Sequence, residues 1–195
     1  NAKNFYNIKT YLRYEMFITE NRKVDNIKII NNFKVKKMKN YLDQINWKNI
    51  YDIYPSFIHG DLQFDNNFYK KKQFKLIDWR ESFGNSYLVG DIYYDLGKLL
   101  GGIYINYDLI KLFKMKYYED KENIKFDVHT RRIMESYKFI LEEFINLKKL
   151  DFKKVQIMVP IIYLNMSPLH NYPFNNLLFS YSKILFEKFF SDANR

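Results

Sequence analysis

The sequence has no cysteine among its 195 residues, which excludes a disulfide framework and is typical of proteins from a reducing compartment. No apolar run approaches the roughly 20 residues needed to cross a bilayer. The first residues do not resemble a secretory signal either. We therefore expect a cytoplasmic protein with no membrane partner.

Glycine and proline are scarce, with six and four residues, and no glycine precedes Gly60. Long flexible joints between domains are rich in such residues, and the chain contains neither a linker of this kind nor an internal repeat. We expect residues 3–195 to form a single domain. Asn1-Ala2 resembles the remnant of an expression tag and is left out of the fold prediction.

Lysine and arginine outnumber acidic residues, and the formal net charge is +10. A basic chain often binds nucleic acid. However, Lys, Asn, Ile, Phe and Tyr dominate the sequence, and A and T alone can encode all five, so a biased genome accounts for the lysines. No basic run alternates with glycine and aromatics as in RNA-binding segments. We do not expect nucleic acid as the partner, although a basic helical nucleic-acid binder remains an alternative with steep salt dependence as its signature.

Apolar residues recur at three-to-four-residue spacing along most of the chain, which predicts helices. Asp91 is placed to cap one of these helices, which runs through Leu100. Only one strand pair is visible, formed by Phe68-Tyr69 and Phe74–Ile77 around a turn at Lys70–Lys72. The other helices are predicted over 4–20, 24–47, 107–118, 127–148, 151–165 and 174–190. The fold class expected is α+β, mostly α-helical, with one small hairpin.

The hairpin brings polar side chains together. The start of its first strand and the end of its second become neighbours, so Asn66 and Asp78 meet at one end, and Asp61 lies in the loop leading into it. Two converging carboxylates repel each other unless a cation or proton intervenes. Oxygen ligands suit Mg²⁺, and a carboxylate outside the metal shell can accept a hydroxyl proton. These groups are the parts used in phosphoryl transfer. The alternative is a polar turn in which they only cap the backbone.

Three motifs resemble one enzyme family. The segment His59-Gly60-Asp61-Leu62-Gln63-Phe64-Asp65-Asn66 resembles the H-G-D-x-x-x-x-N catalytic loop of aminoglycoside phosphotransferases and choline kinases, which share a protein-kinase-like fold. Leu76-Ile77-Asp78-Trp79 resembles their metal-binding strand end, and Gly90-Asp91-Ile92-Tyr93-Tyr94-Asp95-Leu96-Gly97 resembles the segment that opens their next helix. The motifs occur in the family's order over residues 57–100.

The resemblance implies a small-molecule kinase that uses ATP and Mg²⁺. It makes Asp61 the catalytic base and Asn66 and Asp78 the Mg²⁺ ligands. It makes His59 and Asp95 residues that order the catalytic loop. For these two residues the alternative is a buried, hydrogen-bonded polar group, and the neighbouring Asp65 is interpreted as a solvated loop acid.

The chain departs from the family before residue 57, where no glycine-rich sheet precedes the catalytic loop. We therefore expect the C-terminal lobe of the kinase-like fold, with the N-terminal nucleotide lobe as the partner segment that lies upstream. On this interpretation residues 3–195 by themselves bind nucleotide poorly. Arg80 stands where many relatives have an acid, and it either contacts an anionic substrate group or pairs with Glu81 or Asp91.

The acceptor implied by the family is a small hydroxyl compound such as a sugar, an aminoglycoside or a choline-like molecule. Candidate residues for binding it are Arg80, Tyr94, His170, Asn171 and Tyr172, although His170 also fits a surface or capping position. Most of the 18 Phe and 18 Tyr residues fall at helical spacing and are expected in the core rather than in a quaternary-ammonium cage. The motif variants resemble relatives from bacterial surface-polysaccharide biosynthesis, which favours a sugar-like acceptor. A non-catalytic kinase-like binding module is the other alternative.

Overall fold

The computed structural model describes residues 2–87, 89–112 and 114–193. About 57% of the chain is helical, and the strands form small sheets. The prediction of a mostly helical α+β protein is therefore confirmed. None of the described helices combines the length and the apolar character that a membrane span requires.

The helices follow one another along the whole chain. A π-helical turn at Asn4–Ile8 leads into the first α-helix. The α-helices are α1 (Lys9–Asn26), α2 (Met38–Leu42), α3 (Trp47–Tyr51), α4 (Ile92–Tyr104), α5 (Tyr107–Lys111), α6 (Ile133–Leu147), α7 (Phe152–Met166) and α8 (Phe174–Ala193). Single 3-10 turns lie at Phe64–Asn66 and Ser167–Leu169.

The strands of the described residues belong to three sheets. They are β1 (Ile29–Ile30), β2 (Phe33–Lys34), β3 (Pro55–Phe57), β4 (Asn67–Lys70), β5 (Gln73–Leu76), β6 (Val89–Asp91), β7 (Met115–Glu119) and β8 (Asn123–Val128). The largest sheet has the order β2-β1-β8-β7, while β3 pairs with β6 and β4 pairs with β5, both antiparallel. The β3–β6 pair places the start of the loop that carries Asp61 beside the start of α4.

The core lies where α7 packs between α4 and α8. Leu100 of α4, Tyr163 of α7 and Leu178 of α8 are completely buried there. Gly97 permits the close approach of α4 to α7, because a Cβ at this position would lie 2.6 Å from the Cβ of Met158. This helical layer forms the rigid base from which α4 presents side chains to the candidate site.

Several predicted elements are confirmed. The helices expected at 151–165 and 174–190 are α7 and α8, and the one expected at 4–20 is the π-helical turn with α1. Asp91 caps α4 by accepting a hydrogen bond from the Tyr93 N–H at 3.2 Å. The predicted hairpin is β4–β5, and its turn residues Lys71 and Lys72 both have positive φ, as a two-residue hairpin turn requires.

The helix predicted over 24–47 is wrong. The chain leaves α1 after Asn26 and forms the hairpin β1–β2 before α2 begins. The apolar spacing fitted a helix, but Asn31 and Asn32 take up φ values of 48° and 67° and turn the chain back. Asparagine tolerates this left-handed conformation better than most residues, so the Asn-Asn pair was the signal for a turn.

The predictions of a single strand pair and of helices over 107–118 and 127–148 are also wrong in part. Helix α5 ends at Lys111 and β7 follows, while β8 occupies residues up to Val128 and α6 begins only at Ile133. Alternation of apolar and polar residues along β8 matches its alternating burial. The alternation of apolar and polar residues that is typical of a strand was not recognised, because these segments are short and flanked by helical patterns.

Candidate active site

Two small sheets hold the segment that carries Asp61. Strand β3 brings the chain to Phe57, and β6 lies beside it with Gly90 opposite Ser56. A side chain at Gly90 is excluded because its Cβ would lie 2.2 Å from Cδ1 of Ile58. The loop after β3 is thus fixed at its entry against the start of α4.

Asp95, in the first turn of α4, anchors the loop from the other side. Its Oδ2 accepts the His59 N–H at 2.7 Å, and its Oδ1 accepts the Gly60 N–H at 2.8 Å. Burial raises the pKa of Asp95, and the two N–H donors only partly offset this effect. Gly60 has a φ of +78°, and a Cβ there would lie 2.4 Å from the Cβ of Arg80, so the tight turn requires glycine.

His59 links the loop to the strand that ends before Asp78. Its ring is 3% exposed and lies 4.8 Å from the ring of Trp79. Nδ1 accepts the Asp61 N–H at 3.2 Å, which leaves the proton on Nε2, and Nε2 then donates to the Ile77 carbonyl at 2.8 Å. Both ring nitrogens are therefore occupied within the protein, and neither is available to a substrate.

Asp61 lies in a cage of hydrogen-bond donors. Its Oδ1 accepts from Gln63 Nε2 at 2.7 Å and lies 2.8 Å from Lys98 Nζ, while its Oδ2 lies 3.2 Å from Asn66 Nδ2. Burial by itself would raise the pKa of Asp61, but Lys98, Gln63 and Arg80 outweigh burial and hold the pKa below its usual value. The carboxylate is charged at neutral pH. Because each oxygen has two lone pairs, Oδ2 keeps one acceptor position open.

Lys98 is the residue that the sequence interpretation missed. It projects from α4 one turn after Asp95, and its side chain is only 8% exposed. The available signal was a lysine inside the otherwise apolar run of α4, where a charged group needs a partner. Its partner, Asp61, lies 37 positions away in sequence, so only the folded chain identifies it.

Asn66 and Asp78 lie in the same cavity as Asp61. Asn66 donates through Nδ2 to the Asp61 carbonyl at 2.9 Å, and no described residue donates a hydrogen bond to its Oδ1. Asp78 is exposed, also has no partner among the described residues, and has a φ of +59°, which is uncommon for a residue other than glycine. An unpaired amide oxygen and an unpaired carboxylate are the donor set that Mg²⁺ shares with phosphate oxygens.

No group of three or more His, Asp or Glu side chains within residues 2–87, 89–112 and 114–193 is placed to hold a metal ion. The pair Asn66 and Asp78 is smaller than such a group. It fits Mg²⁺ only as part of a shell completed by water and phosphate oxygens, which is the usual situation for this ion.

The cavity has a volume of about 750 Å³ and is bordered by side chains from α1, the loop that carries Asp61, α4 and α7. Arg80 reaches into it and donates to the Tyr94 hydroxyl at 3.3 Å, with its guanidinium 5.3 Å from the Tyr94 ring centroid. Neither Glu81 nor Asp91 forms an ion pair with Arg80 in the part of the chain that the structure describes. Asp91 instead accepts from the Tyr6 hydroxyl and caps α4.

The four remaining candidates for acceptor binding separate into two groups. Tyr94 and His170 border the cavity, and burial lowers the pKa of His170. Asn171 and Tyr172 are exposed and lie outside the described cavity lining. The Tyr172 ring packs edge-on against Tyr117 at 5.9 Å, and the Asn171 carbonyl accepts the Asn175 N–H at the start of α8.

Asp65 has a partner as well. Its Oδ2 lies 2.6 Å from Lys111 Nζ, and the carboxylate is 22% exposed. The predicted solvated loop acid is thus a partly covered member of an ion pair at the edge of the cavity.

Comparison with models of known protein families, with curated proteins and with solved structures found no match for this chain in any of the three.

Proposed function

We propose that the chain carries the catalytic centre of an ATP- and Mg²⁺-dependent phosphotransferase that phosphorylates a hydroxyl group of a small molecule. The observation that carries the proposal is the arrangement around Asp61. One cavity contains a charged carboxylate with an open acceptor position, and beside it an amide oxygen and a carboxylate without partners. Phosphoryl transfer to a hydroxyl requires this combination of groups.

Asp61 orients the acceptor hydroxyl in this proposal. The hydroxyl donates to the open position on Oδ2, and its oxygen attacks the γ-phosphorus of ATP. The bond to the bridging oxygen breaks, ADP leaves, and the hydroxyl proton passes to Asp61. Because the pKa of Asp61 is below its usual value, Asp61 is a weak base and takes the proton late, when the new bond to phosphorus has made the proton acidic.

Asn66 and Asp78 would hold Mg²⁺. The bound ion would neutralise negative charge on the phosphate oxygens during transfer. His59 and Asp95 act on position alone, because their hydrogen bonds are all made within the protein. Lys98 holds the Asp61 carboxylate and adds positive charge where the phosphoryl group would pass.

The proposed enzyme also has a nucleotide-binding lobe in addition to residues 3–195, as the motif resemblance implies. The surface around the β4–β5 hairpin is suited to a covering partner, because several large apolar side chains are exposed there. These are Phe68 and Tyr69 of β4 and Phe74 of β5. A non-catalytic binding module would have no use for an open acceptor position on Asp61 beside two unpaired metal-type ligands.

The test is ATP-dependent phosphorylation by the full-length gene product, measured as ADP release over a panel of hydroxyl acceptors. We expect Asp61→Asn and Asp78→Asn each to lower kcat by at least about a hundredfold, because each removes a charged group from the reaction centre. Asp127→Asn, on the exposed face of β8, removes the same charge away from the cavity and should leave the rate unchanged. Full turnover by either active-site variant would refute the proposal.

A further inference from the structure

One wall of the candidate active-site cavity has three cations that form no ion pair with a carboxylate of the described residues. Lys9 and Arg13 lie one helical turn apart on α1, and Arg80 follows the hairpin strand β5; all three border the cavity. Among the described residues, the ion pairs within 4.0 Å involve other cations. We call these three residues the cationic wall.

The acids that line the cavity form no ion pair with this wall among the described residues. Asp61 is paired with Lys98 at 2.8 Å, and Asp65 with Lys111 at 2.6 Å. Asp78 is the proposed Mg²⁺ ligand, and a bound cation would cancel its charge. Glu81 is the remaining acid of the lining, and it is exposed and forms no ion pair with the wall.

Aromatic rings hold two of the cations in place. The Lys9 ammonium lies 4.5 Å from the centroid of the Phe5 ring, and the Arg80 guanidinium lies 5.7 Å from the same ring and 5.3 Å from that of Tyr94. Cation–π contacts of this kind occupy one side of each cation and leave N–H groups free to donate.

Electrostatic repulsion within the cationic wall is unfavourable when no anion is bound. Burial, followed by the proximity of Arg80, Arg13 and Lys98, lowers the pKa of Lys9 to about 8. Like charges held together in a partly buried site are unfavourable unless an anion binds among them, and such sites attract anionic ligands.

We propose that the acceptor is itself an anion: a sugar or polyol that carries a phosphate or carboxylate group bound by Lys9, Arg13 and Arg80 while its hydroxyl faces Asp61. This inference rests on the proposed phosphotransferase function and narrows its substrate class. Cationic acceptors such as aminoglycosides and choline are repelled by the same wall. A neutral sugar fills the cavity without using these donors.

The binding test uses the full-length gene product and isothermal titration calorimetry. The probes are glucose, glucosamine, glucuronate and glucose 6-phosphate, which share one ring and differ in charge, together with inorganic phosphate. We expect both anionic sugars to bind at least about tenfold more tightly than glucose, and glucosamine to bind most weakly. The two anionic sugars also separate a phosphate-bearing from a carboxylate-bearing acceptor. No preference for anions, or no detectable binding of inorganic phosphate, would overturn the inference.

Variants on one helix supply the control. Lys9→Gln and Arg13→Gln should each weaken binding of the anionic probe by about tenfold. Arg22→Gln changes the same charge on an exposed part of α1 outside the cavity lining and should leave the affinity unchanged. Equal affinities in all three variants would mean that the wall does not bind the anion.

The phosphates of ATP are the other anion that this wall could attract. Binding of inorganic phosphate is therefore repeated with saturating Mg·ATP. Retention of phosphate binding supports an acceptor subsite, whereas its displacement, with weaker ATP binding by Lys9→Gln, would assign the wall to the nucleotide and overturn the inference.

The outcomes for function and for acceptor charge are separable. If neutral or cationic acceptors are phosphorylated and Lys9→Gln does not change the rate, the proposed kinase function is supported and the anionic acceptor is rejected. Anion binding without ATP-dependent transfer to any acceptor would reject the kinase and leave the anion site in place.

Discussion

The pair formed by Asp61 and Lys98 is the contact on which the proposed chemistry depends most. The two mostly buried groups carry opposite charges and lie 2.8 Å apart, and the ammonium of Lys98 stabilises the charged form of the Asp61 carboxylate. In the proposed reaction Lys98 is therefore a positioning residue, because it holds Oδ1 of the carboxylate and leaves Oδ2 to face the cavity. A lysine that keeps a carboxylate ionised also makes that carboxylate a weaker base. A weak base is better suited to orienting the acceptor hydroxyl than to removing the hydroxyl proton early in the reaction.

Lys98→Gln should reveal the effect of burial on the pKa of Asp61, which Lys98 opposes. Without the ammonium, burial becomes the dominant influence and the pKa of Asp61 rises. We expect the acid limb of the pH profile of kcat/KM to move to higher pH, because the base is then protonated over more of the acidic range. The pH–rate profile of the full-length protein measures this shift.

Lys98→Arg is the matched control, since it keeps the positive charge and should keep the acid limb near its original position. If Lys98→Gln lowered the rate equally at all pH values, Lys98 would have only a structural role and the proposed effect on Asp61 would be wrong.

At the scale of elements, α4 organises the candidate site. Its N-cap Asp91 ties β6 to the helix and accepts the Tyr6 hydroxyl from the first turn of the chain. Asp95 then holds the backbone of the loop at His59 and Gly60, and Lys98 holds the Asp61 carboxylate. Three polar side chains along one helix thus fix the entry of the loop, its backbone and its carboxylate.

The four-stranded sheet β2-β1-β8-β7 is stabilised by a contact that its β1–β2 turn makes with β8. The Asn31 side chain donates through Nδ2 to the Phe126 carbonyl at 2.9 Å and accepts the Phe126 N–H at 2.8 Å. It therefore continues the ladder between β1 and β8 as a backbone group would. This explains how a two-residue strand remains attached to the sheet.

Asn31→Ala should destabilise the protein more than Asn32→Ala does. Both residues have positive φ, so the backbone cost of alanine is similar, but only Asn31 makes the two side-chain hydrogen bonds. At about 1 kcal/mol for each bond, we expect a difference near 2 kcal/mol in the free energy of unfolding. Urea denaturation of the two variants measures it, and equal stabilities would show that the side-chain pairing contributes nothing.

For the whole molecule, the buried titratable groups predict that the free energy of unfolding is greatest at alkaline pH. Burial is the main reason that the pKa values of Lys9 and Lys183 are lowered to about 8. An unfolded lysine titrates near pH 10.4, so between these values the unfolded chain binds more protons and the free energy of unfolding rises with pH.

Burial has the opposite effect on several tyrosines, whose pKa values it raises; these include Tyr6, Tyr14, Tyr41, Tyr117 and Tyr163. Above about pH 10 the folded chain therefore keeps protons that the unfolded chain loses, and stability falls.

The expected result is a maximum in the free energy of unfolding at about pH 9 to 10, measured by urea denaturation across the pH range. Lys9→Gln should reduce the rise between pH 7 and 9, because it removes one of the two titrating lysines. Lys23→Gln, exposed on α1, is the matched control and should preserve the rise. A profile that is flat or falls over that interval would contradict the assignment.

The local patterns in the sequence were sufficient for part of this structure. Helical spacing predicted α7 and α8, the polar residue at Asp91 predicted a cap, and the apolar runs around Lys70–Lys72 predicted the β4–β5 hairpin. Each of these elements is specified by residues within one or two turns, so neighbouring residues suffice. The same reasoning placed Asp61, Asn66 and Asp78 together, because a hairpin returns the chain to its starting point.

Tertiary structure decided what depends on distant partners. The β1–β8 pairing joins segments almost a hundred residues apart, and its short strands carry too little pattern to outweigh helical spacing. Likewise, no local signal links Lys98 to Asp61, or Lys9 to Arg80, because burial and proximity arise only when α1 and α4 pack around the loop that carries Asp61. The sequence by itself determined which chemical groups the loop carries, and packing determined their charge state and the charge of the cavity they face.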